Sequence, residues 1–185
     1  MSVKKVVIIG PESTGKSFLC RQLASHFKTK WVPEYAREFL LANGKEYTFD
    51  DLYTIAEGQI AREEEVVHGP LAMEHSKANL NLHPVFIDTD LYVIKVWSEF
   101  VFNKCNNSIL TRIASRKYDL YLLCNTDLPW EKDELREYPD LATREKLFHF
   151  YKDALINQQV PWEIISGNYE ERTKKAIRAV ERILF

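Results

Sequence analysis

The octapeptide Gly10-Pro11-Glu12-Ser13-Thr14-Gly15-Lys16-Ser17 meets every fixed position of the phosphate-binding pattern G-x-x-x-x-G-K-[ST]. Glycine at both ends of such a loop lets the backbone enter conformations that other residues avoid, so successive N–H groups can converge on an anion at a helix N-terminus. Lys16 would then reach the β- and γ-phosphates of ATP. The Ser17 hydroxyl would take one place on Mg²⁺, an ion that keeps much of its shell as water and phosphate oxygen. The apolar run Val6-Val7-Ile8-Ile9 precedes the loop, and Phe18, Leu19, Leu23 and Phe27 follow at helical spacing, so the strand and helix that the pattern requires are both legible. The candidate nucleotide contacts are Gly10, Pro11, Glu12, Ser13, Thr14, Gly15, Lys16, Ser17 and Phe18.

Asp88 ends the apolar strand pattern Pro84-Val85-Phe86-Ile87, where a carboxylate can hold Mg²⁺ through water, opposite Ser17. Asp is equally a preferred helix N-cap, and Asp90 divides between that use and contact with a substrate. Glu34 and Arg37 follow another short apolar run. A carboxylate there could accept the proton of an attacking hydroxyl, and a guanidinium could steady the transferred charge. The competing reading is a helix-surface network among Glu34, Arg37 and Glu38, worth a few tenths of a kcal/mol. Arg136 and Arg144 flank the polar break Glu137-Tyr138-Pro139-Asp140, either as a basic segment closing over phosphates or as ordinary surface charge. Trp130 would stack on a ring or pin that segment to the body.

Five strands are expected at 5–9, 29–32, 84–87, 120–124 and 162–165, where short β-branched and aromatic runs alternate with longer helical patterns. Helices are expected after the loop and at 35–42, 49–68, 92–103, 142–158 and 169–184. This alternation predicts an α/β chain with a five-stranded parallel sheet and helices on both faces; with the P-loop it resembles the P-loop NTPase fold, for which the strand order 2-3-1-4-5 is expected. Ligands of such sheets gather at the carboxyl ends of the strands. That rule brings together the P-loop, Glu34 with Tyr35, Asp88 with Asp90, 125–127, and the loop Ser166-Gly167-Asn168. The purine is expected near Asn168, with Arg112 or Arg116 as further neighbours. Arg62-Glu63-Glu64-Glu65 reads as a solvated helix face.

With 185 residues, no linker and no repeat, the chain is expected to form one domain, 1–185, with a lid at about 130–146. A net charge of -2 with both signs dispersed gives no basic field for nucleic acid. Cys20, Cys105 and Cys124 show no pairing motif, and His26, His68, His75, His83 and His149 show no zinc-ligand spacing. No targeting segment or membrane span is legible, so a soluble cytoplasmic protein is expected.

The chain resembles the ribosylnicotinamide kinase domain of the NadR-type NAD-biosynthesis regulators, a branch of the P-loop ATPases and kinases. The resemblance is carried by Gly10-Pro11-Glu12-Ser13-Thr14-Gly15-Lys16-Ser17, Glu34-Tyr35-Ala36-Arg37-Glu38-Phe39 and Phe86-Ile87-Asp88-Thr89-Asp90-Leu91. Further along, Asn125-Thr126-Asp127-Leu128-Pro129-Trp130, Asp133 and Leu135-Arg136 also match. It spans nearly the whole chain in the same order, and implies phosphorylation of the ribose 5′-hydroxyl of nicotinamide riboside by ATP. Those regulators carry an adenylyltransferase domain and often a DNA-binding domain, neither of which fits before Met1, so a stand-alone kinase-like domain is expected as a departure from the family. Departures fall at Pro33 and Ala61, where the family has aromatics, and at Glu134, where it has glycine. Trp31, Tyr35 or Tyr53 are then the rings left to hold a planar base.

A kinase is therefore expected, with ATP and Mg²⁺ as cofactors and a small nucleoside-like acceptor. Lys16, Glu34, Asp88, Arg37, Arg136 and Arg144 form the catalytic set, Glu34, Tyr35, Asp90 and Trp130 line the acceptor, and Ser17 and Asp88 hold the metal. The alternative is a regulatory ATPase acting through a protein partner. A guanine signature is missing, which argues against GTP.

Overall fold

A computed structural model describes residues 3–69 and 84–185. His75 and His83 lie outside the described residues. The chain runs β1 (Lys5–Ile9), α1 (Lys16–His26), β2 (Trp31–Val32), α2 (Tyr35–Asn43), α3 (Phe49–His68) and β3 (Val85–Asp88). It continues with α4 (Leu91–Phe102), α5 (Asn107–Ser115), β4 (Leu120–Cys124), α6 (Leu141–Ile156), β5 (Trp162–Ile165) and α7 (Tyr169–Leu184). The five strands form one all-parallel sheet, as the alternation of patterns predicts, in the order β2-β3-β1-β4-β5 expected of the P-loop NTPase fold.

Side chains alternate across each strand, and this period of two divides the core. Val6, Ile8, Phe86, Leu122, Cys124 and Ile165 face α1 and α7, meeting Leu19, Leu23, Ala176 and Val180. Val7, Ile9, Ile87, Tyr121 and Leu123 face the opposite layer, where Val96 of α4 and Leu147, Tyr151 and Leu155 of α6 close the core. A third cluster, with Leu52, Ile55, Leu91, Ile94 and Ile109, joins α3, α4 and α5 and receives Tyr35 and Phe39 of α2. Helix starts are fixed by short polar side chains. Thr48 and Asp51 form a reciprocal capping box at α3, Asn168 and Glu171 form another at α7, and Asp140 caps α6.

The structure departs from expectation at four places. The second strand shortens to Trp31–Val32, and α6 stops at Ile156 with Asn157 as its cap. Helix α5 is unanticipated: Asn106 caps Ser108, but only Ile109 is buried, so its apolar signal is too sparse to stand out. Glu63 is 2% exposed rather than solvated. Its carboxylate takes Lys5 at 3.0 Å, Arg116 at 2.6 Å and the Tyr118 hydroxyl at 2.9 Å, a buried charge balanced from three sides.

Candidate active site

The loop after β1 is shaped by backbone conformation before any ligand is considered. Gly10 has φ +140° and lies so close to β4 that a Cβ there would sit 2.7 Å from the Cys124 carbonyl oxygen. Ser13 and Gly15 also take positive φ, and Gly15, left-handed, begins α1. The Thr14 hydroxyl and Lys16 Nζ both donate to the Pro11 carbonyl, at 2.7 and 2.8 Å. Behind the loop stands Arg172 of α7, 2% exposed. It donates to the carbonyls of Thr14 and Asn125, both at 2.9 Å, and of Gly167 at 2.7 Å, and pairs with Asp127. One guanidinium thus ties the P-loop to the ends of β4 and β5. Its helical context in the sequence gives no hint of this, because Thr14, Asn125 and Asp127 lie 45 or more positions away and only Gly167 is near.

A cavity of about 580 Å³ opens over the loop. It is lined by Gly10, Glu12, Ser13, Thr14, Gly15, Lys16, Ser17 and Phe18 of the loop, and also by Trp31, Pro33, Trp97, Phe100, Tyr138 and Tyr151. Glu34, Arg37, Asp88 and Arg136 also line it. Of the rings expected to hold a base, Trp31 is on this wall, whereas Tyr35 packs over Gly58 of α3 and beneath Arg62. Neither Tyr35 nor Tyr53 lines the cavity. The aromatics supplied by α4, Trp97 and Phe100, escape a sequence reading because they look like the buried face of an amphipathic helix.

Asp88 is 1% exposed, and its Oδ1 is buried without a hydrogen-bond partner. Burial, reinforced by the neighbouring Glu34 charge, pushes its pKa up to about 7, against the opposing pull of Lys16 and a hydrogen bond with Ser17. A buried carboxylate oxygen with no partner, beside a serine hydroxyl, is the donor chemistry that suits Mg²⁺, so Asp88 and Ser17 fit the ion. Among the described residues there is no cluster of three or more His, Cys, Asp or Glu that could hold a metal unaided. Phosphate oxygens and water would complete the shell. Glu34 starts α2, but its side chain makes no capping bond. Its carboxylate is thus not consumed by the helix it precedes.

Other expected site residues are placed differently. Asp90 caps α4 by accepting from Tyr92 N at 3.0 Å and takes the Tyr121 hydroxyl at 2.8 Å. Both oxygens are engaged in the core, and Asp90 does not line the cavity. Arg37 forms a double hydrogen bond with Asp133, 3.0 Å at each nitrogen, which draws the Asp133 carboxyl below its usual range. Arg136 donates to the Glu131 carbonyl. Arg144 is buried in α6, and its Nε and Nη1 have no partner. Trp130 donates to Glu12 at 3.5 Å, which pins the irregular segment after β4 to the P-loop. Asn168 spends its Oδ1 on capping α7, and Tyr169, edge-on to Phe18 at 4.7 Å, takes the cavity wall instead. Arg112 and Arg116 do not line the cavity: they pair with Glu57 and with Glu63 and Glu64 on the α3–α5 flank. The segment expected as a lid is irregular up to Asp140 and helical from Leu141.

Comparison with known proteins agrees with this geometry. The trifunctional NAD biosynthesis/regulator protein NadR of Escherichia coli (strain K12) is 24% identical over 98% of this chain, and that of Salmonella typhimurium (strain LT2) 23% over 98%. The chain spans 42% and 43% of those proteins, less than half of their length. A solved NadR structure in complex with NR superposes with TM-score 0.77 at 25% identity, covering 98% of this chain and 50% of that one. Thymidylate kinase from Ehrlichia chaffeensis, 10% identical, shares the fold at TM-score 0.68, with 98% of this chain and 100% of that one covered. The chain is homologous to NadR, and a family model described as an AAA domain matches residues 5–172. Sheet order, P-loop and sequence therefore agree: the chain belongs to the AAA domain family of P-loop proteins.

Proposed function

We propose that the chain is a kinase that transfers the γ-phosphoryl group of MgATP to a small nucleoside-like acceptor, with nicotinamide riboside, giving nicotinamide mononucleotide, as the favoured one. The observation that carries this reading is the continuity of the cavity: phosphate nest and aromatic-walled chamber are one space, with Glu34 and Asp88 among its lining. A regulatory ATPase has no use for aromatic walls in the same cavity. NadR, crystallised with NR, supports the choice of acceptor, and the NadR structure in complex with NAD and AMP-PNP, at TM-score 0.70 and 24% identity, shares the fold around the nest.

In this reading the N–H groups of the nest hold the phosphates, and Lys16 leaves the Pro11 carbonyl to meet the β- and γ-oxygens. Mg²⁺, held by Ser17 and Asp88, supplies charge neutralisation on the phosphate oxygens. The acceptor hydroxyl oxygen bonds to the γ-phosphorus as the bond to the β-γ bridging oxygen breaks. Its proton passes to the Glu34 carboxylate, and ADP leaves. Arg144, whose buried Nε and Nη1 have no partner, is the guanidinium with unspent donors for a phosphate once the segment before α6 adjusts. The segment 130–140 acts as the lid, and the whole described chain as one working domain.

The test is direct: incubate the protein with MgATP and a panel of nucleosides that includes nicotinamide riboside, and follow ADP and phosphorylated product together. Stoichiometric product from one acceptor is expected. ADP release that ignores every acceptor, or no turnover at all, overturns the reading.

A further inference from the structure

We propose that Glu12, inside the phosphate-binding loop, is a positioning residue: its carboxylate latches the 130–138 segment over the nest and links closure of that segment to the presence of the phosphates. The proposal rests on the kinase reading for its kinetic consequence, not for the latch itself.

Glu12 is an unusual side chain to find where an anion is to be bound. Its carboxylate does not contact the loop's own N–H groups. It reaches across the cavity instead and accepts Glu137 N at 2.9 Å on Oε2 and Tyr138 N at 2.6 Å on Oε1, with Trp130 Nε1 at 3.5 Å from Oε1. The adjoining Ser13 hydroxyl takes Glu131 N at 2.9 Å. Three separate N–H groups of one segment thus converge on one carboxylate from more than 115 positions away in the chain. Bonds of a carboxylate to N–H groups are charge-assisted and short, about twice as strong as neutral ones.

The electrostatic consequence follows from where Glu12 stands. With the segment away, its charge faces the nest bare and repels a triphosphate; with the segment down, the N–H groups of 137 and 138 offset that charge. Closure therefore improves the nest for phosphate. By linkage, phosphate in the nest favours closure to the same degree. The far side of the segment is held by the paired Arg37 and Asp133, and by the Tyr47 hydroxyl on Glu137 at 3.2 Å. A segment fastened at both edges covers donor and acceptor together, so loosening the Glu12 edge would admit water to the phosphoryl group.

The experiment compares wild type with Glu12→Gln, which keeps the shape and one acceptor, and Glu12→Ala. Trypsin cleavage after Lys132 and acrylamide quenching of Trp130, isolated by subtraction against Trp130→Phe, report the segment without any turnover. We expect cleavage at least tenfold faster in Glu12→Ala and intermediate in Glu12→Gln. MgATP should protect wild type at least tenfold and the variants less than threefold, while MgATP affinity stays within threefold or tightens, because an anion has left the nest. In turnover, kcat for transfer should fall at least tenfold, with acceptor-independent ADP release rising as a share of the total. Equal cleavage, quenching and protection in wild type and variants overturns the latch. So does a parallel fall in ATP affinity and melting temperature, which would mark Glu12 as part of the loop's folding. If wild type phosphorylates no acceptor, the kinase reading fails alone, and the cleavage, quenching and affinity measurements still decide the latch.

Discussion

Asp88 concentrates the chemistry of the site at a single oxygen. Its pKa of about 7 means that the ligand-free protein carries a carboxyl half protonated near neutrality, whereas Mg²⁺ needs it ionised. Affinity for MgATP should therefore rise about fivefold from pH 6 to pH 7 and about twofold more before it levels off above pH 8, with up to one proton released on binding. Titration calorimetry in buffers of different ionisation enthalpy reads both, and Asp88→Asn should remove the pH dependence along with most of the affinity. Lys16→Ala should abolish turnover. Glu34→Gln should leave ATP binding intact while lowering kcat about 10² to 10⁴-fold, the usual contribution of a general base; a variant with normal turnover would remove Glu34 from that role. These residues were legible because the nest is written in eight consecutive positions and the others follow strand ends. Asp90 was not, since its cap and its Tyr121 partner 31 positions away decide its fate jointly, and only the first is local. Arg37 lines the cavity, but its pairing with Asp133, 96 positions on, has no local signal for the same cause.

Between elements, the contact of α2 with α3 turns on one missing side chain. A Cβ at Gly58 would lie 2.1 Å from Tyr35 Cε1, so the ring of Tyr35 rests where any other residue would intrude. Gly58→Ala gains about 1 kcal/mol of helix propensity in α3 yet should lower stability by about 1 to 3 kcal/mol through the clash. Pairing it with Tyr35→Ala should recover most of the loss attributable to the glycine, and urea unfolding of the four-member cycle measures it. The same contact shows why a ring-bearing Tyr35 was expected at the acceptor and is not there. Strand periods and helix spacings declare which face of an element is apolar and mark eleven of the elements in outline, while the sheet order is expected from the P-loop fold. They do not declare which neighbour a ring will choose.

At the scale of the molecule, two buried carboxyls with pKa values near 7, Asp88 and Asp90, contribute to the pH dependence of folding, with the opposite sign to the lowered carboxyls Asp51, Asp133, Asp140 and Glu170. Both are raised above the ordinary aspartate value of 3.8, mainly by burial, so the folded state binds more protons than the unfolded one between about pH 4 and pH 7. Their contribution is complete below pH 4, declines as pH rises, and is lost above about pH 7. The melting temperature of the ligand-free Asp90→Asn protein, relative to wild type, should accordingly rise by several degrees from pH 4 to pH 7 in a calorimetric series, because the variant lacks this pH-dependent loss. Among the described residues no helix is long and apolar enough to cross a membrane.

Arg172 gives the molecule a timetable. The carbonyl of Thr14 waits for a guanidinium 158 residues later in the chain, and contacts of such separation form late because loop closure must precede them. A chain emerging from the ribosome can complete β1 and α1 early, yet the nest lacks its brace until α7 has docked. Capture of nucleotide in a refolding experiment should then appear with the slowest phase, after the sheet's circular dichroism has recovered, so that the ability to bind phosphate serves as a clock for the last step of folding.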